Sequence, residues 1–150
     1  MNVFLDLEGT VITNWDENLL MNTTKVRLWL ESLGVRKVHV FSFAVWNDRD
    51  KSVFDKQMKP FLTKALGVSF IDCPTVEDFF KADLEVTGVH WESLSDFVSV
   101  RGKVDAFRSW CEHKFDGQHN VLLDDVVPNA VWENKDSGLK LEFVNVTSLE

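Results

Sequence analysis

The segment that decides the fold is NVFLDLEGTVI, residues 2–12 of the 150-residue chain. Its apolar residues form a short run that favours a buried β-strand. The run ends on two acids, Asp6 and Glu8, and Gly9 and Thr10 follow at once. A glycine at such a position favours a tight turn. The segment therefore predicts a buried strand that delivers two carboxylates to a loop.

Strand and helix patterns alternate along the rest of the chain. Runs rich in β-branched and aromatic residues predict strands at residues 37–43, 68–73, 120–127 and 139–146. Helical patterns fall between them, at residues 22–35, 50–66, 76–80 and 103–115. Pro60 is expected to break or kink the second helix, and only turns are predicted between residues 81 and 102.

This alternation predicts parallel βαβ units. We therefore expect an α/β fold, a Rossmann-like three-layer α/β/α sandwich whose mostly parallel sheet has helices on both faces. A length of 150 residues is typical of one compact domain. Residues 1–150 are accordingly expected to form a single domain.

Composition and charge narrow the classes of function. A formal net charge of −8 repels phosphate backbones and argues against extensive nucleic-acid binding, although a nucleotide or a nucleic-acid end remains compatible with it. Cys73 and Cys111 have no metal-site spacing, which indicates reduced thiols. The sequence shows neither a signal-peptide pattern nor an apolar run of membrane length. We expect a cytoplasmic protein without a membrane segment.

Polar residues lie where the predicted strands end. Sheets of parallel strands place their functional sites outside the C-terminal ends of the strands. The residues at those ends are Asp6, Glu8, Ser42, Asp124 and Asp125, and Lys103 lies at the start of a predicted helix. These side chains are expected to converge on one pocket.

Four segments give this pattern a family resemblance. In chain order they are FLDLEGT, VHVFS, GKVDAF and VLLDD. They resemble the four motifs of the haloacid dehalogenase (HAD) superfamily: D-x-D-G-T after a strand, a strand ending in Ser or Thr, a Lys near a helix start, and a strand ending in paired acids. Glu8 departs from the commoner Asp, but the enolase-phosphatase branch of the superfamily also has D-x-E-G-T.

The resemblance implies a phosphomonoester hydrolase, or phosphatase, that depends on Mg²⁺ and forms an aspartyl-phosphate. Asp6 would be the nucleophile, and Glu8 would be the general acid and base. Lys103 would neutralise the charge of the nucleophile and the transferring group. Arg101 and Lys114 are nearby cations, and only the folded geometry can decide among the three.

The resemblance also implies two sets of binding residues. Mg²⁺ would be held by Asp6, the backbone carbonyl of Glu8, Asp124 and Asp125. The phosphate-binding residues would be Gly9, Thr10, Ser42 and Phe43. Trp15 and Trp46 follow the first two motifs and are further candidates to line the site.

The spacing of the motifs leaves little room for a cap domain. We expect at most a short flap at residues 11–22 and a small insertion at about residues 75–100, so the site should be open or lightly covered. The substrate is left open among a phosphosugar, a nucleotide, a phosphorylated nucleic-acid end and a phosphoprotein. The sequence gives no oligomeric state.

Two other functions share these residues. DLEGT also resembles the first motif of DEDD-type 3′–5′ exonucleases, and His119 to Asp124 has the literal H-x(4)-D spacing of that group. In those enzymes the second motif lies on a helix, whereas here it falls in a β-favouring run. The third interpretation is a non-catalytic binding or regulatory protein on a HAD-like fold, with Glu8 as the altered residue.

Overall fold

A computed structural model describes residues 1–150, and it contains a six-stranded sheet and a two-stranded sheet. The strands are β1 (Asn2–Leu5), β2 (Ile12–Asn14), β3 (Leu19–Leu20), β4 (Lys37–Val40), β5 (Ser69–Asp72), β6 (His119–Asp124), β7 (Ala130–Asn134) and β8 (Leu139–Asn145). The helices are α1 (Thr23–Ser32), α2 (Asp48–Val53), α3 (Lys59–Leu66), α4 (Val76–Thr87), α5 (Leu94–Asp96) and α6 (Lys103–Lys114). Two π-helical turns, Phe54–Met58 and Phe97–Arg101, and a 3₁₀ turn, Val146–Ser148, complete the regular structure.

The large sheet has the strand order β5-β4-β1-β6-β8-β7. Every neighbouring pair in it is parallel except β7 with β8, which are antiparallel at one edge. The prediction of an α/β fold with a mostly parallel sheet is confirmed. The first strand of the chain, β1, lies between β4 and β6.

Alternation along β1 divides the apolar core into two clusters. Val3 and Leu5 belong to one cluster, which includes buried residues of α1 and α3. Phe4 belongs to the other, which includes buried residues of α4 and α6. Successive side chains of a strand point to opposite faces, so the two clusters lie on opposite sides of β1.

Helical structure is more extensive than the sequence patterns predicted. Helical residues run from Asp48 to Leu66 without a break. The expected break at Pro60 is wrong: this residue follows closely on the π-helical turn Phe54–Met58, where the regular α-helical hydrogen-bond pattern is already interrupted. Residues 94–101, predicted as turns, are helical too. No helix in the structure has the combined length and hydropathy needed to cross a membrane.

Two antiparallel strand pairs were absent from the prediction. β2 and β3 pair with each other inside the predicted flap at residues 11–22. β7 pairs with β8 and forms the edge of the large sheet. The predicted insertion at about residues 75–100 contains α4 and α5, and a Thr75–Asp78 capping box starts α4.

Candidate active site

Three parallel strands bring their C-terminal ends together at the centre of the large sheet. The Asp6 N–H donates to the Leu123 carbonyl, and the Phe41 N–H donates to the Leu5 carbonyl, both at 3.0 Å. These bonds continue the ladders of β1 with β6 and with β4. Asp6, Ser42 and Asp124 therefore lie at the same edge of the sheet.

A cluster of three carboxylates occupies this edge. Asp6 is 2% exposed, Asp124 is fully buried and Asp125 is half-buried. One carboxylate oxygen from each lies within 4.8 Å of the others, which makes the group able to hold a metal ion. Carboxylate oxygens are the ligands that Mg²⁺ and Ca²⁺ prefer. The side chain of Glu8 does not belong to this cluster.

Lys103 is the cation that faces the buried acids. Its Nζ lies 2.6 Å from Oδ1 of Asp124 and 3.2 Å from Oδ1 of Asp6. Arg101 instead contacts Asp83, and Lys114 lies over the ring of Trp110. The structure therefore selects Lys103 from the three cations that the sequence left open.

The pKa values of the two buried acids shift in opposite directions. Burial raises the pKa of Asp6 to about 7, an effect that Lys103 opposes and the charge of Asp124 reinforces. Burial acts in the same sense on Asp124, but the nearby Lys103 ammonium and two backbone N–H groups outweigh it and hold the pKa of that carboxyl below its ordinary value. The donors are the amides of Val126 and Val127, at 2.9 and 2.8 Å.

The two acids also shift the pKa of Lys103. Burial alone would lower the pKa of its ammonium, but Asp6 and Asp124 together raise it above the ordinary value. The group is therefore a fixed positive charge at neutral pH. One fixed cation serves two carboxylates, with a third beside them, so the cluster carries excess negative charge.

The Gly-Thr pair builds a tight loop around Asp6. Gly9 has φ +78°, and a Cβ at this position would collide with the carboxylate of Asp125. The Thr10 hydroxyl donates to Oδ2 of Asp6 at 2.9 Å. The Leu7 carbonyl accepts from three successive N–H groups at 2.9–3.2 Å, the last from Ile12. Gly9 allows the close approach of Asp125, and Thr10 fixes one oxygen of Asp6.

Ser42 and Phe43 form the neighbouring wall of the site. The buried Ser42 Oγ accepts from the Ala44 N–H at 3.1 Å, which leaves its own O–H free to donate. The Phe43 ring centroid lies 5.7 Å from Nζ of Lys103. A cation near an aromatic ring at this distance is weakly attracted to it. Phe43 thus lies near Lys103, and Ser42 lies at the same edge of the sheet as Asp6 and Asp124.

Glu8 lies in a different environment from Asp6. It is exposed and lines an open cavity of about 520 Å³. The other lining residues are Thr13, Asn14, Trp15, Asp16, Ala44, Asp50 and Val53. Trp15 therefore lines the cavity, whereas Trp46 packs against the apolar cluster of α4 and α6. The lining contains three carboxylates and no basic side chain.

The sequence patterns missed Asp50 and Asp16 as lining residues. Asp50 lies in the first turn of α2, where its N–H is capped by Asn47 and its Oδ2 accepts from the Trp46 N–H at 3.0 Å. The pattern Asn-Asp-x-Asp, which follows the second motif, is typical of a helix N-terminus and could have predicted this position for Asp50. Asp16 lies between β2 and β3, and no signal for that hairpin was recognised.

No protein-family model matches the chain, and neither a curated protein nor a solved structure matches it. The site is therefore interpreted from its own geometry.

Proposed function

We propose that this chain is a Mg²⁺-dependent phosphomonoester hydrolase that forms an aspartyl-phosphate on Asp6. The observation that carries the proposal is the buried Asp6 carboxylate, which lies at a strand end and shares Lys103 with Asp124. The proposal includes membership of the HAD superfamily and a Rossmann-like three-layer α/β/α sandwich with little or no cap. The strand order and the two apolar clusters support that fold.

The acid cluster has the donor set that a Mg²⁺ ion needs. Asp6, Asp124 and Asp125 would hold the ion, since their oxygens are hard donors already within 4.8 Å of one another. Burial raises the pKa of Asp6 and the charge of Asp124 adds to that effect, so a divalent cation held here would favour the charged carboxylate. When bound, the ion neutralises charge on the phosphoryl oxygens.

Asp6 is the nucleophile in this proposal. The Thr10 hydroxyl holds Oδ2, so Oδ1, beside Lys103, is the oxygen that attacks phosphorus. The Asp6 oxygen–phosphorus bond forms as the ester oxygen–phosphorus bond breaks, and the leaving oxygen takes a proton from Glu8. Water then attacks the phosphorus and gives a proton to Glu8 while the Asp6 oxygen–phosphorus bond breaks. Inorganic phosphate is released, and both carboxyl groups return to their starting states.

The remaining residues bind and orient the phosphoryl group. The Lys103 ammonium lies beside Asp6 and Asp124, and the Ser42 O–H is a free donor at the same edge of the sheet. Such preorganised donors stabilise charge in a transition state. The Gly9 and Thr10 loop and Phe43 shape the wall around that group. Each of these roles is the one that the motif resemblance implies for the residue.

The leaving group would lie in the cavity beside Glu8. A volume of about 520 Å³ falls within the usual range for small-molecule sites. Its three carboxylates repel anions, so a phosphorylated substrate whose leaving group is neutral or cationic suits it better than a polyphosphate does. The phosphosugar, nucleotide, nucleic-acid end and phosphoprotein classes remain to be separated by assay.

The exonuclease interpretation fits the geometry less well. His119 and Asp124 lie at opposite ends of β6, not on a helix. Five residue-to-residue steps of extended strand place them roughly 17 Å apart, and His119 contacts Glu142 instead. The two residues are too far apart to serve one metal site.

The experiment that tests the proposal is phosphate release from p-nitrophenyl phosphate, with Mg²⁺ and with EDTA. Release that requires Mg²⁺, together with a phosphoryl group located on Asp6 by mass spectrometry after acid quench, supports it. The Asp136→Asn variant is the matched control, because it removes an exposed acid from the β7–β8 turn. Mg²⁺-induced stabilisation without turnover on any class of phosphomonoester would favour the non-catalytic interpretation instead.

A further inference from the structure

A second buried ionic network lies outside the acid cluster. Asp83 of α4 is fully buried and receives three donors. Arg101 Nε approaches it at 2.8 Å, Ser109 Oγ at 2.7 Å and Trp91 Nε1 at 3.2 Å. Buried charges are retained in proteins when they are paired and hydrogen-bonded. Both carboxylate oxygens of Asp83 accept hydrogen bonds, and none of the three donors belongs to the acid cluster.

Arg101 links this network to the helix that carries Lys103. Its Nη2 donates to Ser109 Oγ of α6 at 2.9 Å, while its Nε holds Asp83 of α4. Its Nη1 lies 3.9 Å from Asp105, in the first turn of α6. One guanidinium therefore contacts two helices at three points.

The start of α6 needs such support. Its N-cap is Gly102, which has φ +78° and no side chain to hydrogen-bond the first turn. By contrast α2, α4 and α5 begin with the capping side chains of Asn47, Thr75 and Ser93. Uncapped helix ends leave their first N–H groups without partners and fray readily. Lys103 is the first residue of this uncapped helix.

We propose that the Asp83–Arg101–Ser109 network is a positioning device, in which Arg101 holds the start of α6 so that Lys103 reaches Asp6 and Asp124. The catalytic part of this inference rests on the proposed function, but the placement of Lys103 does not. Arg101 acts through Lys103 and touches no reacting atom.

The test compares Arg101→Lys with Arg108→Lys. Lysine keeps the charge but cannot contact three groups with one planar fork. Arg108 lies on α6, the helix that carries Lys103, and makes surface pairs with Asp105 and Glu112, so its replacement is the matched control. Both variants are assayed at a temperature at which circular dichroism shows them folded. If Arg101→Lys does not fold, Ser109→Ala takes its place, because it removes one Arg101 contact and leaves the ion pair intact.

Arg101→Lys is expected to lower kcat about tenfold or more, since a misplacement of about 1 Å can cost up to ~100-fold. Arg108→Lys should leave kcat unchanged. In a Lys103→Met background, Arg101→Lys should cause no further loss, because the two residues act as one unit. Independent losses that multiply in the double variant would overturn the inference.

A second readout does not depend on activity. Lys103 is held by two carboxylates, so acetylation by N-hydroxysuccinimide acetate, followed by mass spectrometry, should be slow at this residue compared with Lys135, which is exposed. Arg101→Lys should speed acetylation of Lys103 several-fold and leave Lys135 unchanged. An unchanged rate at Lys103 refutes the positioning role. A wild-type protein without turnover would refute the proposed function, while the acetylation rates would still decide the placement of Lys103.

Discussion

Asp6 and Glu8 are two residues apart, yet they belong to two different regions of the molecule. Asp6 is buried against Lys103, Asp124 and Thr10, and its pKa is raised to about 7. Glu8 is exposed at the wall of an open cavity. The tight loop between β1 and β2 turns the chain from one region into the other. Burial and partners, more than residue type, separate the roles of these two carboxylates.

This difference suits the two steps that we propose. A nucleophile benefits from a fixed geometry and from a nearby cation. A general acid must reach both the leaving oxygen and water, which an exposed side chain can do. The following predictions test whether Asp6 acts as the nucleophile in the buried region and Glu8 as the general acid and base at the cavity.

Asp6→Asn should have the largest effect. The amide keeps the shape of the side chain but cannot attack phosphorus, so turnover of p-nitrophenyl phosphate should be abolished. Asp16→Asn, which removes an acid of the cavity region, is the control for a charge change nearby. An Asp6→Asn protein that turns over like the wild type would refute the aspartyl-phosphate mechanism.

Glu8→Gln should reduce kcat by about 10²- to 10⁴-fold, the usual contribution of proton transfer. The loss should be smaller for aryl phosphates than for alkyl phosphates, because a good leaving group needs little protonation. Glu8→Asp introduces the residue that is commoner in the HAD superfamily and should keep more activity than Glu8→Gln. Equal losses on aryl and alkyl esters would show that Glu8 is not the general acid.

Mg²⁺ should stabilise the folded protein by binding the buried region. At a concentration about 100 times its dissociation constant, an ion that binds only the folded state adds about 2.7 kcal/mol to the free energy of unfolding. Thermal melts with and without millimolar Mg²⁺ measure this shift. Asp124→Asn should lose it, whereas Asp50→Asn, in the cavity, should retain it. A wild-type melt that Mg²⁺ leaves unmoved would count against the metal site.

The ion-free protein should become less stable as pH rises through about 7. The folded-state pKa of Asp6 lies above its ordinary value of 3.8, so the folded state holds this proton more tightly than the unfolded state does. The resulting stability is present in full at pH below about 4 and disappears as pH rises through about 7. Urea melts in EDTA at about pH 5.5 and 8 should show a larger decrease for the wild type than for Asp6→Asn. Parallel decreases would show that Asp6 is not the group responsible.

Asp16→Asn should have the smallest effect and act on selectivity. Removing one of the three cavity carboxylates should lower KM for an anionic leaving group a few-fold and raise it for a cationic one, in a salt-dependent way. Asp136→Asn should change neither KM value. If the KM values of Asp16→Asn equal those of the wild type for both substrates, the leaving group does not enter this cavity.

The sequence predicted the buried region better than the cavity. Short apolar runs marked β1, β4 and β6, and the rule for parallel sheets placed Asp6, Ser42 and Asp124 at one edge. The choice of Lys103 over Arg101 needed the structure, because both lie close to the start of α6 and only Arg101 has Asp83 as an alternative partner.

Regions without strong local patterns escaped prediction. β2 and β3 have three and two residues, too few to show a period. β7, with the sequence AVWEN, is a half-exposed edge strand. Its pairing with β8 depends on tertiary contacts and not on a local sequence pattern. Asp83 and Arg101 are 18 residues apart and belong to no motif. Contacts of this kind depend on how α4 packs against α6. A short stretch of sequence does not predict that packing.

The position of β1 in the sheet has a consequence for folding. Its neighbour on one side, β6, begins 117 residues after it in sequence, since Asn2 pairs with Asn120 while His119 starts β6. Pairings between such distant segments form slowly, because a long loop must be closed before they gain any stability. Until β6 docks, β1 is paired on one side at most, and Asp6 lacks Asp124. We expect the capacity to bind an ion to appear late and abruptly, with the docking of β6, and its onset in refolding experiments would time that event.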